Sequence, residues 1–209
     1  QTDTWPDFIV VDGSEGGTGA APVEFADHVG MPMREGLRLV HNTLVGIGKR
    51  DLVKVGVSGK IISAFDIARA LALGADWCNS ARGFMFALGC IQSRSCHTDH
   101  CPTGVATQDP NRQRALVVSD KATRVMNFHE LTVEALAELV GAAGLEHPGD
   151  ITADHIMVRE ADGHPVPLAT TLPTVGEGAL LDESKLSELP EPFKTYWTSA
   201  DPATFVRAA

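Results

Sequence analysis

The sequence predicts an α/β fold with parallel strands, on three observations. Short apolar runs, loops and helically spaced apolar stretches alternate three times within the first ninety residues. Each apolar run is short enough for a strand, and each gives way to a glycine-containing loop. Alternation of this kind joins parallel strands through helical crossovers.

Phe8-Ile9-Val10-Val11 is the first strand, an unbroken apolar run of the type buried on both faces. It ends at Asp12 and opens into the loop Gly13-Ser-Glu-Gly-Gly-Thr-Gly19. Leu37, Val40, His41, Leu44, Val45 and Ile47 recur at helical spacing up to Gly48. Leu52 to Val57 reads as the second strand, followed by Ser58-Gly59-Lys60. Ser63 and Asp66 have the spacing of a capping box, so a helix is expected to Leu73 with Gly74 as its stop. Asp76 to Ser80 is the third strand, and Ala81-Arg82-Gly83 leads into a short helix. Beyond the cysteines, Asp120 to Val140 predicts a longer amphipathic helix. From Ile151 onward six of the twelve prolines occur and acids outnumber bases. That segment is expected to wrap a body as an extended tail with little core of its own.

Three strand–helix units bury too little to stand as a complete (β/α)8 barrel, which needs eight strands and about 250 residues. They form either a small open sheet or the last units of a larger barrel, and the short third loop and helix favour the barrel. Loops after the last two strands of such barrels cradle phosphate; here they are Ser58-Gly59-Lys60 and Ala81-Arg82-Gly83. The expected division is residues 1–145 as partial barrel, with a cysteine loop at 90–101, and 146–209 as tail. An open apolar edge and face would remain. An N-terminal half is therefore expected to pack here, from the same polypeptide, a second chain or a symmetry mate. The start at Gln1 instead of Met fits a longer parent.

The net charge of −10 argues against nucleic acid or an anionic membrane surface as partner. No uninterrupted apolar run of about 18 residues is present, so no membrane span is expected. Four cysteines, three of them clustered, favour metal over disulfides and a reducing, cytoplasmic setting.

Those three are Cys90, Cys96 and Cys101, spaced C-x5-C-x4-C and followed by Pro102. The spacing is neither that of common zinc sites nor of ferredoxins, although Cys101-Pro102 matches the cysteine-proline ending of ferredoxin cluster loops. Three thiolates within twelve residues can converge on one iron–sulfur cluster; with His97 and His100 nearby, a Cys3His zinc site competes. Buried thiols are the third option. Cys78 lies in a strand and reads as core. Glu15-Gly16-Gly17-Thr18-Gly19 lets backbone approach a ligand, or is simply a tight turn. Helix N-terminal amides near Lys60 and Arg82 make an anion site, unless these are surface cations on ordinary turns.

Asp12-Gly-Ser-Glu-Gly-Gly-Thr-Gly-Ala-Ala-Pro22, Gly74-Ala-Asp76, Gly89-Cys90, Cys96-His97 and Cys101-Pro-Thr-Gly-Val-Ala-Thr-Gln108 resemble the FMN-binding domain of glutamate synthases. The resemblance is closer to the shorter FMN-binding glutamate synthase family proteins and covers about residues 7 to 145. It implies a TIM barrel holding FMN and a 3Fe-4S cluster, the cluster on Cys90, Cys96 and Cys101. By the same resemblance the flavin phosphate would lie near Ser58, Gly59, Lys60, Ala81, Arg82 and Gly83. Glu15, as catalytic residue, would face flavin or substrate with Gly16, Gly17 and Gly19. The implied reaction is reductive formation of L-glutamate from 2-oxoglutarate and glutamine-derived ammonia. Implied partners are an electron donor, either ferredoxin or an NAD(P)H-oxidising subunit, and a possible second copy in a homo-oligomer. The chain departs from the family's frequent Asp-Gly-Gly turn by carrying Ser58-Gly59-Lys60. An electron-transfer module without its own substrate site is the alternative function.

Overall fold

In a computed structural model, residues 4–15, 21–201, 203 and 204 are described. Three parallel strands, β1 (Phe8–Asp12), β2 (Lys54–Ser58) and β3 (Trp77–Asn79), pair in sequence order. Val10 lies opposite Gly56, and Gly56 opposite Trp77. Helices α1 (Val23–His28) and α2 (Met33–Gly46) connect β1 to β2, α3 (Ala64–Ala72) connects β2 to β3, and α4 (Arg82–Leu88) follows β3. The expected alternation is therefore present.

β2 starts two residues later than its apolar run suggests. The amides of Leu52 and Val53 both donate to the Lys49 carbonyl, which bends this segment into a turn. The box on α3 forms as expected: the Asp66 amide donates to Ser63 Oγ at 3.2 Å, and the Ser63 amide donates to the Asp66 carboxylate at 3.0 Å. Such a cap is worth about 1 kcal/mol. Gly74, at φ +108°, ends the helix.

The main core lies between the sheet and α2 and α3. Leu37, Val53, Val55, Val57 and Ile61 are its most deeply buried large side chains, each contributing about 1.5–3 kcal/mol by leaving water. The other sheet face is uncovered among the described residues. Phe8 and Val10 are 58% and 43% exposed, whereas Ile9 and Val11 pack on the core. The apolar run of β1 is thus buried on one face only, because no element among the described residues covers the second.

Beyond the sheet, α5 (Pro110–Gln113) precedes α6 (Val118–Ala142), which packs on α3 and α4. The tail forms an antiparallel pair, β4 (Met157–Arg159) and β5 (Pro165–Pro167), then α7 (Leu168–Thr171) and α8 (Phe193–Tyr196) with short 3-10 turns. It has more core than its composition suggests. Val175, Ala179, Leu180, Leu189 and Phe193 cluster together, joined by Leu39 of α2 and by Ile47 just past its end. Ile151 and Ile156 join Ala68, Ala72 and Val140 in another cluster. Among the described residues no helix is long and apolar enough to cross a membrane.

Candidate functional site

Parallel strands place their C-terminal ends on one side, and three loops meet there. The Gly13 amide donates to the Ser58 carbonyl at 2.8 Å, and the Ser14 amide to the Met31 carbonyl at 2.9 Å. Glu15 turns its carboxylate onto the first turn of α2 and accepts the Met33 amide at 2.9 and 3.1 Å. That is a favourable place for a negative charge, because the first amides of a helix have no partner within it. Ser80 Oγ donates to the Ile61 carbonyl at 2.8 Å and ties the loop after β3 to the loop after β2.

Gly59 is buried at φ +150°, and a Cβ there would lie 2.8 Å from the Met33 Cβ. Lys60, exposed, follows at φ +49°, where non-glycine residues are uncommon. Ala81 and half-buried Arg82 begin α4. Buried Gly83 brings α4 against α6, where a Cβ would stand 2.6 Å from the Phe128 ring. Phe84 and Phe128 pack edge to face at 5.2 Å. Ser58, Gly59, Lys60, Ala81, Arg82 and Gly83 thus occupy two adjacent loops, with Glu15 beside them. Gly16, Gly17 and Gly19 lie outside the described residues.

Cys90 leaves α4 directly: Gly89 adopts φ +108°, and the Cys90 amide donates to the Met85 carbonyl at 2.9 Å. Cys90 and Cys96 are half-buried, Cys101 is 4% exposed, and all are free thiols. Burial pushes the Cys101 thiol up, but the amides of Ala106, Thr103 and Val105 and the Thr103 hydroxyl outweigh it and bring it down to about 7. The surroundings of Cys101 therefore fit a thiolate ligand. Cys78 differs: burial, then the charge of Asp66, raises it to about 11, and it packs on the main core. Among the described residues no three His, Cys, Asp or Glu groups are gathered closely enough to hold a metal ion. Three free cysteine thiols are the right donor chemistry for an iron–sulfur cluster.

Sequence reasoning missed the residues that shape this loop. Asp99, at φ +64°, accepts the Gln108 amide at its carboxylate, 2.6 Å, and buried Thr107 donates to the Asp99 carbonyl at 2.7 Å. Arg112 Nη1 reaches the Cys101 carbonyl at 3.4 Å. The available signal was Asp109-Pro110, an N-cap followed by N1 proline, which fixes α5 beneath the loop.

A family model described as a conserved region in glutamate synthase matches residues 1–146. The chain belongs to the glutamate synthase family. It is 48% identical over 158 residues to the glutamate synthase large subunit-like protein YerD of Bacillus subtilis, covering 76% of this chain and 30% of that protein. It is 40% identical over 139 residues to the archaeal glutamate synthase [NADPH] of Methanocaldococcus jannaschii, covering 66% and 27%. Against the ferredoxin-dependent glutamate synthase of Pyropia yezoensis the identity is 34% over 157 residues, 75% and 10% of the two chains. The chain spans less than a third of the length of these glutamate synthase relatives.

Proposed function

We propose that this chain forms units six to eight of a glutamate-synthase-like FMN barrel, and that the whole protein is an oxidoreductase. Its reaction would be reductive formation of L-glutamate from 2-oxoglutarate and glutamine-derived ammonia. The observation that carries this reading is the convergence of the loops at 13–15, 58–60 and 80–83 on one end of the sheet, inside the region matched by the family model. The uncovered sheet face bearing Phe8, Val10 and Trp77 suits the interior of a barrel completed by further strands. Those strands are the proposed partner, from the same polypeptide or another chain.

In this reading the buried Gly59 lets the FMN phosphate approach backbone, and Lys60 and Arg82 supply charge around it. Glu15, anchored by the Met33 amide, presents a carboxylate to flavin or substrate. Cys90, Cys96 and Cys101 hold the 3Fe-4S cluster. FMN held there would supply the hydride chemistry, and a cluster on the three cysteines would supply electron relay from a ferredoxin or an NAD(P)H-oxidising subunit. Free thiols suit a reducing, cytoplasmic setting.

The test is oxidation of chemically reduced intact protein by 2-oxoglutarate with ammonium, followed by absorbance. Flavin reoxidation that depends on both substrates, with glutamate formed, supports the reading. Iron without flavin favours the electron-transfer module instead, and zinc alone a structural domain. Gly59→Val and Arg82→Ala should each weaken FMN binding about tenfold or more, since a charged hydrogen bond contributes about 1.5–3 kcal/mol. Unchanged affinity in both would move the cradle elsewhere.

A further inference from the structure

Between α2, α3 and the tail lies a cavity of about 430 Å³, within the ~300–1,000 Å³ typical of small-molecule sites. Val158, Leu168, Leu172, Pro173, Pro192 and Phe193 line it from the tail. All lie beyond residue 146, where the matched conserved region ends. The cavity is therefore a composite of the matched region and the segment that follows it, and it adjoins the strand-end loops described above through Arg34, Arg69 and Leu73.

Three guanidinium groups also line the cavity, Arg34 and Arg38 one turn apart on α2 and Arg69 on α3. Arg38 is half-buried, donating to the Leu73 carbonyl at 3.2 Å, to Asn42 Oδ1 at 2.9 Å and to the Pro173 carbonyl at 3.3 Å. Its Nε is buried with no hydrogen-bond partner. Arg69 pairs with Asp66 at 3.4 Å. Burial, then the nearby charge of Arg34, holds its guanidinium below the ordinary arginine value. Two carboxylates also line the cavity. Glu191 accepts the Thr195 hydroxyl at 2.7 Å, and Glu35 sits one turn before Leu39, on the side of α2 that meets the tail cluster. A smaller cavity of about 160 Å³ shares Arg34, Arg69 and Leu73 and is lined as well by Gly59, Lys60, Glu15 and Asp66. Arg34 and Arg69 thus line both cavities, and most of the apolar lining of the larger one comes from the tail.

We propose that this cavity binds a small amphiphilic carboxylate, its head on Arg34, Arg38 and Arg69 and its apolar body against Leu168, Leu172, Pro192 and Phe193. Guanidinium groups match carboxylate geometry in paired hydrogen bonds, and a bound anion relieves the repulsion between Arg34 and Arg69. Enclosing the apolar body adds the burial that separates such a ligand from acetate. The site goes beyond the redox reading and does not depend on it, so binding, not turnover, is the readout.

The experiment is calorimetric titration of the intact protein with octanoate, with octanol and acetate as controls. Saturable one-to-one binding of octanoate, at least about tenfold tighter than either control, is expected. The Arg34→Ala/Arg69→Ala double variant should lose about tenfold in octanoate affinity while keeping its melting temperature and its weak octanol binding. If that variant does not fold, Arg34→Gln at an exposed position should still weaken octanoate several-fold. Arg38 stays untouched because it also holds Leu73 and Pro173. Absence of saturable octanoate binding would overturn the proposal. So would octanol binding as tightly as octanoate, or affinity unchanged in the arginine variants.

Discussion

The two ends of the three-stranded sheet are built on opposite plans. At the N-terminal end, Arg50 donates to the Val53 and Gly74 carbonyls at 3.1 and 2.8 Å, to Asp76 at 2.8 Å and to His41 Nδ1 at 3.2 Å. Asp76 also accepts the Val55 amide at 2.7 Å and Lys54 Nζ at 3.3 Å. One arginine and one aspartate thus fasten α2, β2 and β3 together. The C-terminal end is held by single hydrogen bonds between loops, with Gly59 and Lys60 in uncommon backbone conformations. One end spends its polar groups on the fold, and the other leaves backbone and side chains facing outward. That division matches the proposed barrel, a fold that builds stability at its lower end and takes ligands at its upper end.

The largest effect expected lies at the lower end. Gly74 combines φ +108° with direct contact against the His41 ring. Gly74→Ala should therefore cost about 3–4 kcal/mol, the sum of left-handed strain and overpacking, read as a shift in urea midpoint. A loss below about 1 kcal/mol would show that the contact relaxes freely.

Acid should act on the same end next. Burial, then the charges of Arg38 and Arg50, pulls His41 from 6.5 down to about 4. The unfolded chain then takes a proton below pH 6.5 that the folded chain refuses. Stability from this group is complete above pH 6.5 and falls between 6.5 and about 4, by about 2–3 kcal/mol. Asp76 is buried in part, which raises it, but the Val55 amide and then Arg50 hold it below its ordinary value. Its contribution is present above 3.8 and is lost at still lower pH. Urea unfolding from pH 4 to 7 should show the slope, and His41→Gln should flatten it.

The smallest effect on stability belongs to the upper end. Ser80→Ala removes one loop-to-loop hydrogen bond and should cost only about 1 kcal/mol. In the intact protein it should nevertheless weaken FMN binding, because it frees the proposed cradle. A stability loss as large as that of Gly74→Ala would erase the distinction between the two ends.

Much of the upper end was legible in the sequence because its signals are local. Ser63 and Asp66 carry a cap within four residues. The lower end was not, since His41, Arg50 and Asp76 meet only after two crossovers fold. The uncovered face of β1 was hidden for a similar reason: Phe8-Ile9-Val10-Val11 reads the same whether one or both faces are buried. In the tail, scattered apolar residues such as Val175, Leu180 and Phe193 have no period, so their joint burial against Leu39 and Ile47 was invisible. The cysteine spacing was plain, whereas the amides that prepare Cys101 come from a turn with no sequence signature.

The most direct test of the proposed cofactor chemistry is metal and sulfide analysis of intact protein purified without oxygen, wild type beside Cys96→Ser and Cys78→Ser. Iron and acid-labile sulfide in the proportion of a 3Fe-4S cluster, lost in Cys96→Ser and retained in Cys78→Ser, is the predicted result. Stoichiometric zinc in the wild type, or iron that survives Cys96→Ser, would contradict it.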